Sequence, residues 1–339
     1  MQIMHTRRRF LTHLSLAGAA GLVWAPGSVA AEELAATGGE PPPETATIRL
    51  PAIPAACTAP LYVAKELLRE EGFTEVHYVP TTVISAGMLA DGDLDISMEA
   101  PVDYLPLLDV GRRLTVLAGV HVGCLELRAN DSIQNITDLR GKRVGISSIG
   151  AAEHLLVSAM AAYVGLDPVA QIDWVVDPKV SQAERFTAGE IDAFIGPPPD
   201  PGQPCARNVG HVVVNIAADP PWSNYFCCMV AANADFFRRN PVATKRAMRA
   251  ILRATDVCHE QPERAAQRMV ENGFSYECAL MTLSGARYGL WRDYDPEDTV
   301  RFFALRLHEV GMIKTAPNEI ISGFTDWRFL DELKRELKT

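Results

Sequence analysis

Polar side chains that can hold a small molecule occur where apolar, strand-like runs of the sequence end. Thr58 and Glu99 each stand just before a predicted helix, and Ser147 and Ser148 follow a strand-like run that ends at Ile146. A carboxylate at such a junction accepts charge-assisted hydrogen bonds from an amine or amidine. Hydroxyls and free N–H groups at a helix start instead hold an anionic or carbonyl group. These residue types indicate non-covalent binding of a small polar molecule.

Other residues at predicted strand ends are further candidates, because ligands of open α/β sheets bind at the carboxyl ends of the strands. Trp222, just before a predicted return strand, offers a wall on which a planar ligand can stack. Packing of its loop onto the protein surface is the alternative, and for Ser148 the alternative is a helix N-cap. The predicted ligand-binding residues are Cys57, Thr58, Thr81, Thr82, Met98, Glu99, Ser147, Ser148, Gly150, Ala151 and Trp222.

Alternating strand-like and helix-like runs must position these residues. Residues 47–122 have the pattern β-α-β-α-β-α-β, a second unit of the same kind follows from residue 139, and the chain from residue 234 onward is almost wholly helical. This order predicts an α/β fold of two lobes, each a mixed sheet flanked by helices. The helical C-terminal segment is expected to pack on the first lobe.

The predicted boundaries follow from the same pattern. The first part of lobe 1 covers residues 46–122, lobe 2 covers residues 123–225, and the return to lobe 1 with the helical segment covers residues 226–339. Gly123 and Cys124 lie where the chain first crosses between the lobes, and we predict that they form a hinge. A glycine there can absorb a change in backbone angles, although a strand bulge is the alternative.

The first 31 residues have the features of an export signal. Three arginines at positions 7–9 precede an apolar run over residues 14–24, and residues 28–30 (Ser-Val-Ala) give a small-x-small cleavage pattern. The run is shorter than the roughly 20 residues of a membrane span. An arginine pair followed by Phe-Leu is typical of the Tat type of signal. Residues 32–45, rich in Ala, Glu, Gly and Pro, predict a flexible leader.

Composition limits the partners. The chain has 339 residues and a formal net charge of -10, without a basic cluster after the export signal, which argues against nucleic acid as a partner. The seven cysteines are odd in number, so at least one thiol stays free in an oxidising compartment. No cysteine pair has C-x-x-C spacing, and no histidine stands at zinc-ligand spacing from a cysteine. The sequence therefore predicts neither a metal site nor a cofactor.

Three local motifs occur in a characteristic order. Residues 92–96 (Gly-Asp-Leu-Asp-Ile) and 189–193 (Gly-Glu-Ile-Asp-Ala) are matching turns into strands, and the phrase Asp-Leu-Arg-Gly-Lys-Arg-Val at 138–144 lies between them. We interpret Asp95 and Asp192 as structural, because an aspartate in such a turn accepts backbone N–H bonds. Together the motifs resemble the type II periplasmic binding proteins for nitrate, taurine, aliphatic sulfonates and thiamine-pyrimidine precursors, over residues 46–310.

The resemblance implies an exported, periplasmic, monomeric protein that closes its lobes on a small molecule and delivers it to the permease of an ABC importer. Glu99 narrows the ligand, because an unpaired carboxylate facing the cleft repels nitrate or sulfonate. We therefore expect an organic, nitrogenous or aromatic ligand resembling an aminopyrimidine. A solvated glutamate that stabilises a helix dipole is the alternative interpretation of Glu99.

Two other functions remain open. One is an exported ligand sensor without a role in transport. The other is an enzyme, because synthases of the pyrimidine-precursor branch have the same fold and a cysteine-rich motif that Cys227 and Cys228 resemble. Adjacent residues of a strand point to opposite faces, which disfavours joint chelation by the pair, and a third cysteine of such a cluster is missing. The sequence therefore predicts a binding protein without catalytic residues.

Overall fold

Three β-sheets with flanking helices organise the chain: two small sheets in the first lobe and a five-stranded mixed sheet in the second. The structure is a computed structural model that describes residues 40–81, 85–196 and 209–338. The predicted export signal, most of the predicted leader and the candidate Thr82 lie outside these residues. Among the described residues, no helix has the length and apolar character needed to cross a membrane.

The first lobe contains strands from both halves of the chain. β1 and β2 pair in parallel, and β10 lies between β3 and β4 and runs antiparallel to both. A backbone hydrogen bond from Asp95 N to Arg49 O, 2.9 Å long, joins the entry of β3 to β1. The strands are β1 (Thr47–Ala52), β2 (Glu75–Pro80), β3 (Ile96–Glu99), β4 (Leu114–His121) and β10 (Cys228–Asn233).

Three helices connect these strands. They are α1 (Ala59–Glu70), α2 (Ala86–Asp91) and α3 (Pro101–Asp109). In α1, Leu61, Ala64 and Leu68 are fully buried, as the helical spacing of apolar residues predicts. A proline in the first turn of α1 and of α3 suits the helix start, where no intrahelical N–H bond is lost. α1 begins directly after a short 3-10 turn (Ala56–Thr58) that contains Cys57 and Thr58, and α3 begins two residues after Glu99.

The second lobe contains a five-stranded sheet in the order β7-β6-β8-β5-β9. β6 pairs in parallel with β7 and β8, whereas β5 runs antiparallel to β8 and β9. Its strands are β5 (Glu126–Ala129), β6 (Arg143–Ile146), β7 (Asp173–Val176), β8 (Ala193–Gly196) and β9 (His211–Asn215), and its helices are α4 (Ala152–Tyr163), α5 (Pro168–Gln171) and α6 (Gln182–Thr187). The two-lobed α/β prediction is confirmed, while the exact lobe boundaries stay a prediction.

The remaining helices form the C-terminal segment. Its longest helix packs along α1, where the buried carboxylate of Glu71 accepts a bond from Arg249 at 2.7 Å. The segment therefore lies on the first lobe, as expected. Its helices are α7 (Ala234–Arg239), α8 (Pro241–Glu260), α9 (Pro262–Val270), α10 (Tyr276–Gly285), α11 (Pro296–Glu309), α12 (Pro317–Phe324) and α13 (Arg328–Glu336).

The two matching turns of the sequence have the same role in both lobes. Asp95 accepts hydrogen bonds from the backbone N–H and the guanidinium of Arg49 in β1. Asp192 accepts the same set from Arg143 in β6. Each aspartate thus ties the entry of one strand to another strand of its lobe, β3 to β1 in the first lobe and β8 to β6 in the second. The structural interpretation of both residues is confirmed.

Candidate functional site

Glu99, the last residue of β3, is a buried carboxylate with one anchored oxygen and one unpaired oxygen. Oε1 accepts hydrogen bonds from Ser85 N at 2.8 Å, from Ser97 Oγ at 3.0 Å and from Ser85 Oγ. Oε2 is buried and has no hydrogen-bond partner in the described part of the chain. Since the residue is only 4% exposed, the alternative of a solvated glutamate is wrong. The strand end directs this side chain into the protein rather than to water.

Other carboxyl groups lie near Glu99. Burial raises the pKa of Glu99, although its bonds to Ser85 and Ser97 act in the opposite direction. Burial also raises the pKa of Asp103 in the first turn of α3, and the charges of Glu99 and of Glu153 in α4 raise it further. Acidic groups of both lobes therefore influence one another across this region. Such a region repels anions and favours a ligand that donates N–H bonds or carries positive charge.

The residues just after Glu99 face the second lobe. Ala100, Pro101 and Val102 line a small cavity together with Leu156 of α4 and Ile216, which follows β9. The cavity volume is about 20 Å³, which is room for roughly one water molecule. The end of β3 therefore adjoins the second lobe, but the cavity beside it is too small for an organic ligand in this conformation.

The strand end at Cys57 and Thr58 is also buried. Thr58 occupies the N-cap position of α1, yet its hydroxyl donates to Ala55 O at 2.7 Å and makes no cap bond to the helix. Met98 is fully buried in β3, and Cys57 is 6% exposed. Thr81 lies just after β2 and is partly exposed. The hydroxyl of Thr58 therefore bonds the preceding turn and does not cap α1.

The serine loop after β6 lies at the surface. Ser148 and Gly150 are exposed, whereas Ser147 donates through its backbone N at 2.8 Å and through its hydroxyl to Glu153. The N-cap of α4 is Ala151, which has no capping side chain, so the N-cap interpretation of Ser148 is wrong. Glu153 in the first helical turn satisfies the donors of Ser147 instead.

Trp222 lies in a group of aromatic rings. Its ring centroid is 5.4 Å from that of Tyr163 and 5.6 Å from that of Phe302, both at steep interplanar angles. Tyr225 stacks on Phe302 at 4.0 Å. Trp222 is 4% exposed and contributes to the small cavity beside Ala100. In this conformation its surface is used for packing between α4 and α11, and little of it is accessible to a ligand.

The predicted hinge residues have unusual backbone angles. Gly123 has φ +88°, and a Cβ placed on it would lie 2.3 Å from Ala217 Cβ. Cys124 has φ +93° and is the one non-glycine residue with positive φ among the described residues. Such a conformation costs about 1–3 kcal/mol and persists only where its surroundings enforce it. Both residues lie on the first crossing between the lobes, which connects β4 to β5. They face Ala217 on the second crossing, which connects β9 to β10.

The same crossings bring together a group of thiols and an imidazole. The ligand atoms of Cys57, His121 and Cys124 all lie within 4.8 Å of one another, and Cys124 Sγ is 3.2 Å from Cys227 Sγ. Cys228 lies next to the same thiols. We call the set Cys57, His121, Cys124, Cys227 and Cys228 the thiol cluster. All four cysteines are free thiols.

The thiol cluster corrects the expectation drawn from Cys227 and Cys228. A third and a fourth cysteine are present, because the end of β1 and the first crossing supply Cys57 and Cys124. Cys227 precedes β10, and the register of β10 against β4 shifts between Cys228 and Met229. The regular alternation of a strand therefore does not apply to this pair.

Interaction among the groups of the thiol cluster shifts their pKa values. Contacts with Cys124 and Cys228 lower the pKa of Cys227 to about 6. Burial alone lowers the pKa of His121, but the neighbouring thiols of Cys228 and Cys57 raise it to about 10. Neither nitrogen of His121 has a hydrogen-bond partner of ordinary geometry within the described residues. The imidazole therefore interacts with sulfur rather than with oxygen.

Sequence reasoning missed several residues of these two sites. Ser85 and Ser97 anchor Glu99. Ser97 lies two residues before Glu99 in β3, so strand alternation could have placed both side chains on one face, whereas no sequence signal indicated Ser85. His121 was not selected, although it lies three residues before Cys124, and the expectation that no histidine stands at metal-ligand spacing from a cysteine was wrong. Its closeness to Cys57 depends on β1 and β4 meeting in one lobe, and the spacing of 64 residues along the chain does not reveal this.

The fold and the paired crossings define the class of two-lobed periplasmic binding proteins. The nitrate-binding protein NrtA of Synechocystis PCC 6803 is similar in structure, with a TM-score of 0.70, 17% identity and coverage of 88% of this chain and 90% of that chain. The alkanesulfonate-binding protein SsuA of Xanthomonas axonopodis pv. citri, bound to MOPS, gives a TM-score of 0.60 and 14% identity over 84% of this chain and 99% of that chain.

A third similar structure is the CA3427 gene product of Candida albicans, which is described as having the generic periplasmic binding protein fold. It gives a TM-score of 0.61 and 15% identity over 83% of this chain and 96% of that chain. No curated protein matches the sequence. The model of the NMT1/THI5-like family matches residues 57–265, and the chain belongs to this family.

Proposed function

We propose that the protein is the exported, periplasmic solute-binding component of an ABC importer. Family membership and the two-lobed fold support this role, since solved relatives of the same fold include proteins described as binding nitrate and alkanesulfonate. The predicted Tat-type signal supports export. In this role the lobes close on the solute about the crossings at Gly123 and Cys124, and a permease recognises the closed form.

The ligand we propose is a nitrogenous organic molecule, such as an amine or an aminopyrimidine. The observation that supports this is the Oε2 atom of Glu99, which is buried at a strand end beside the second lobe and has no hydrogen-bond partner among the residues that the structure describes. A buried acceptor without a donor is costly, so a ligand N–H that reaches it gains the full benefit of the bond. The nearby carboxyls of Asp103 and Glu153 disfavour nitrate or sulfonate.

We propose that the other candidate binding residues contact the same ligand. Ser148 and Gly150 are exposed at the end of β6 and can contact a ligand from the second lobe, while Thr81 ends β2 in the first lobe. The ring of Trp222 can stack on a ligand only after its aromatic neighbours Tyr163 and Phe302 have moved away from it. Thr82 completes the candidate set from outside the described residues.

A thermal-shift screen of the mature protein tests both parts of the proposal. The library contains amines, aminopyrimidines, thiamine fragments, taurine, nitrate and sulfonates. A ligand at 100 times its dissociation constant adds about 2.7 kcal/mol of stability. We expect a hit among the nitrogenous compounds that is lost in Glu99→Gln and weakened in Asp103→Asn.

Glu75→Gln is the matched control, because this first-lobe glutamate has a side chain that is 63% exposed. It should bind like the wild type. A hit with nitrate or a sulfonate would retain the solute-binding role and refute the assignment of Glu99. Absence of any hit would count against solute binding by this chain.

A further inference from the structure

Three ligand atoms of the thiol cluster have the spacing of a metal site. The Sγ atoms of Cys57 and Cys124 and a ring nitrogen of His121 all lie within 4.8 Å of one another. In a tetrahedral site with metal–sulfur bonds of about 2.3 Å, two sulfur ligands stand about 3.8 Å apart. Small side-chain shifts therefore suffice to bring these atoms around one ion. Cys227 Sγ lies 3.2 Å from Cys124 Sγ and supplies a fourth ligand.

We propose that Cys57, His121, Cys124 and Cys227 bind one thiophilic metal ion, Zn²⁺ or Cu⁺. Thiolate sulfur and imidazole nitrogen are the donors that these ions prefer, whereas Mg²⁺ and Ca²⁺ take oxygen ligands. Each cysteine that binds the ion releases its proton to solvent. The four ligands do not include Glu99, and the proposal does not depend on the identity of the solute.

His121 provides an independent observation for this site. Its side chain is fully buried, and both ring nitrogens lack an ordinary hydrogen-bond partner among the described residues. A buried imidazole without a partner is unusual, because burial normally requires its polar atoms to be satisfied. A metal ion bound to one nitrogen satisfies it. The ring is also fixed by Tyr288, whose centroid lies 4.9 Å away.

The backbone at Cys124 points in the same direction. A cysteine with φ +93° is held in a conformation that glycine adopts far more easily. Strained residues of this kind are concentrated at functional sites, where neighbours fix the side chain in a required position. Here the conformation places Cys124 Sγ beside Cys227 Sγ on the opposite crossing. Cys124 is also partly exposed, which gives an ion a route into the cluster.

The position of the site gives the ion a structural role. Cys57 follows β1 in the first lobe, Cys124 lies on the first crossing, and Cys227 lies on the second crossing just before β10. An ion bound to all three links both crossings to the first lobe. The hydroxyl of Tyr288, in the C-terminal segment, supports the Cys57 ligand by donating to Cys57 O at 2.9 Å.

Metal binding is measured on the full mature protein, reduced and handled without oxygen. Co²⁺ serves as an optical probe, since tetrahedral thiolate coordination gives intense visible and near-ultraviolet bands. Zn²⁺ is titrated against a chromophoric chelator, and Cu⁺ against a Cu⁺-specific chelator. We expect one ion per chain, with displacement of Co²⁺ by Zn²⁺.

Three variants each remove one ligand: Cys57→Ser, His121→Ala and Cys124→Ser. Each should lower the affinity for the metal ion by more than roughly 10–100-fold, which is the effect of removing a residue that only hydrogen-bonds a metal ligand. Cys258→Ser is the matched control, because Cys258 is a fully buried free thiol in α8 that belongs to no such group. It should bind the ion as the wild type does.

Circular dichroism shows whether each variant is folded, and Cys227→Ser provides a further ligand variant if one of the three is not. Failure of the reduced wild type to bind an ion would overturn the proposal. Equal binding by Cys124→Ser and Cys258→Ser would overturn it as well. The solute screen is read separately, so a wild-type protein that binds its solute but no metal ion refutes only the metal site.

Discussion

Arg49 and Asp95 are joined through both backbone and side chain: the backbone N–H of Arg49 donates to Asp95 Oδ2 at 2.7 Å, and its guanidinium binds the same carboxylate. Arg143 and Asp192 repeat the arrangement in the second lobe, with a backbone distance of 3.0 Å. The repeat shows that each lobe uses one carboxylate to fix one strand against another, β3 against β1 and β8 against β6. Loss of either carboxylate should therefore be felt throughout its lobe.

Asp95→Asn should lower the free energy of unfolding by about 1–3 kcal/mol, because it weakens hydrogen bonds that involve charged groups at a buried carboxylate. Urea denaturation measures the effect. Asp91→Asn is the control, since the Asp91 carboxylate pairs with Arg112 while 62% exposed. That change should stay within about 0.5 kcal/mol. Equal losses in both variants would contradict the structural role of Asp95.

Asp192 should make stability depend on acid pH. Its bonds to Arg143 lower the pKa of this carboxyl below the ordinary value of 3.8. A depressed folded-state pKa stabilises the protein at pH values above the unfolded-state pKa, and the stabilisation is lost as the pH falls through the folded-state value. Asp192→Asn should therefore be less stable than the wild type at pH 6.

The difference between the two proteins should shrink below about pH 4, where the unfolded chain begins to take up the proton. Urea unfolding at a series of pH values from 6 downward measures it. A difference that stays constant over the whole series would show that the contribution of Asp192 is unrelated to its charge.

Ser85→Ala should affect both stability and the charge state of Glu99. Ser85 is fully buried and donates through its hydroxyl to Glu99 Oε1. Its loss should cost about 1 kcal/mol and raise the pKa of Glu99 further, so that binding of a cationic ligand requires a higher pH. Calorimetric titration over a pH series, together with urea unfolding, measures both effects.

Ser158→Ala is the matched control for Ser85→Ala. Ser158 in α4 is equally buried, but its hydroxyl has no partner among the described residues. Removing an unsatisfied buried hydroxyl should be neutral or stabilising, and ligand binding should keep its pH dependence. The role given to Ser85 fails if the two serine variants behave alike.

Gly123→Ala should destabilise the protein by more than about 1 kcal/mol, because the added methyl group meets Ala217 and the positive φ is unfavourable for alanine. Gly87→Ala in α2 serves as comparison, since its Cβ would meet nothing within 4 Å. That change should stabilise the helix by about 0.5–1 kcal/mol. Thermal and urea unfolding distinguish these opposite signs, and a neutral Gly123→Ala would refute a special backbone role at the crossing.

The sequence contained most of the information on the fold. The alternation of strand-like and helical runs predicted two α/β lobes, and the matching turns at Asp95 and Asp192 marked the entries of β3 and β8. Local spacing is enough for such elements, because burial of an apolar face determines them. The start of α1, predicted at residue 59, agrees with the structure.

The sites were less predictable because they depend on contacts between distant segments. The strand-end rule selected Glu99, yet its burial depends on Ser85 and Ser97, and a solvated carboxylate was equally compatible with the sequence. The thiol cluster was not predicted, because metal-site motifs rely on short spacing. Cys124 and Cys227 are separated by 103 positions and meet only because the chain crosses twice at the same place.

The placement of the thiol cluster at both crossings has a mechanical consequence. When two bodies rotate relative to each other, displacement grows with distance from the axis, so atoms at the connecting segments move least. A cleft rim can travel far while Cys124 and Cys227 keep their separation of 3.2 Å. An ion held between them would therefore remain coordinated at every stage of opening. Its affinity would be the same with and without bound solute.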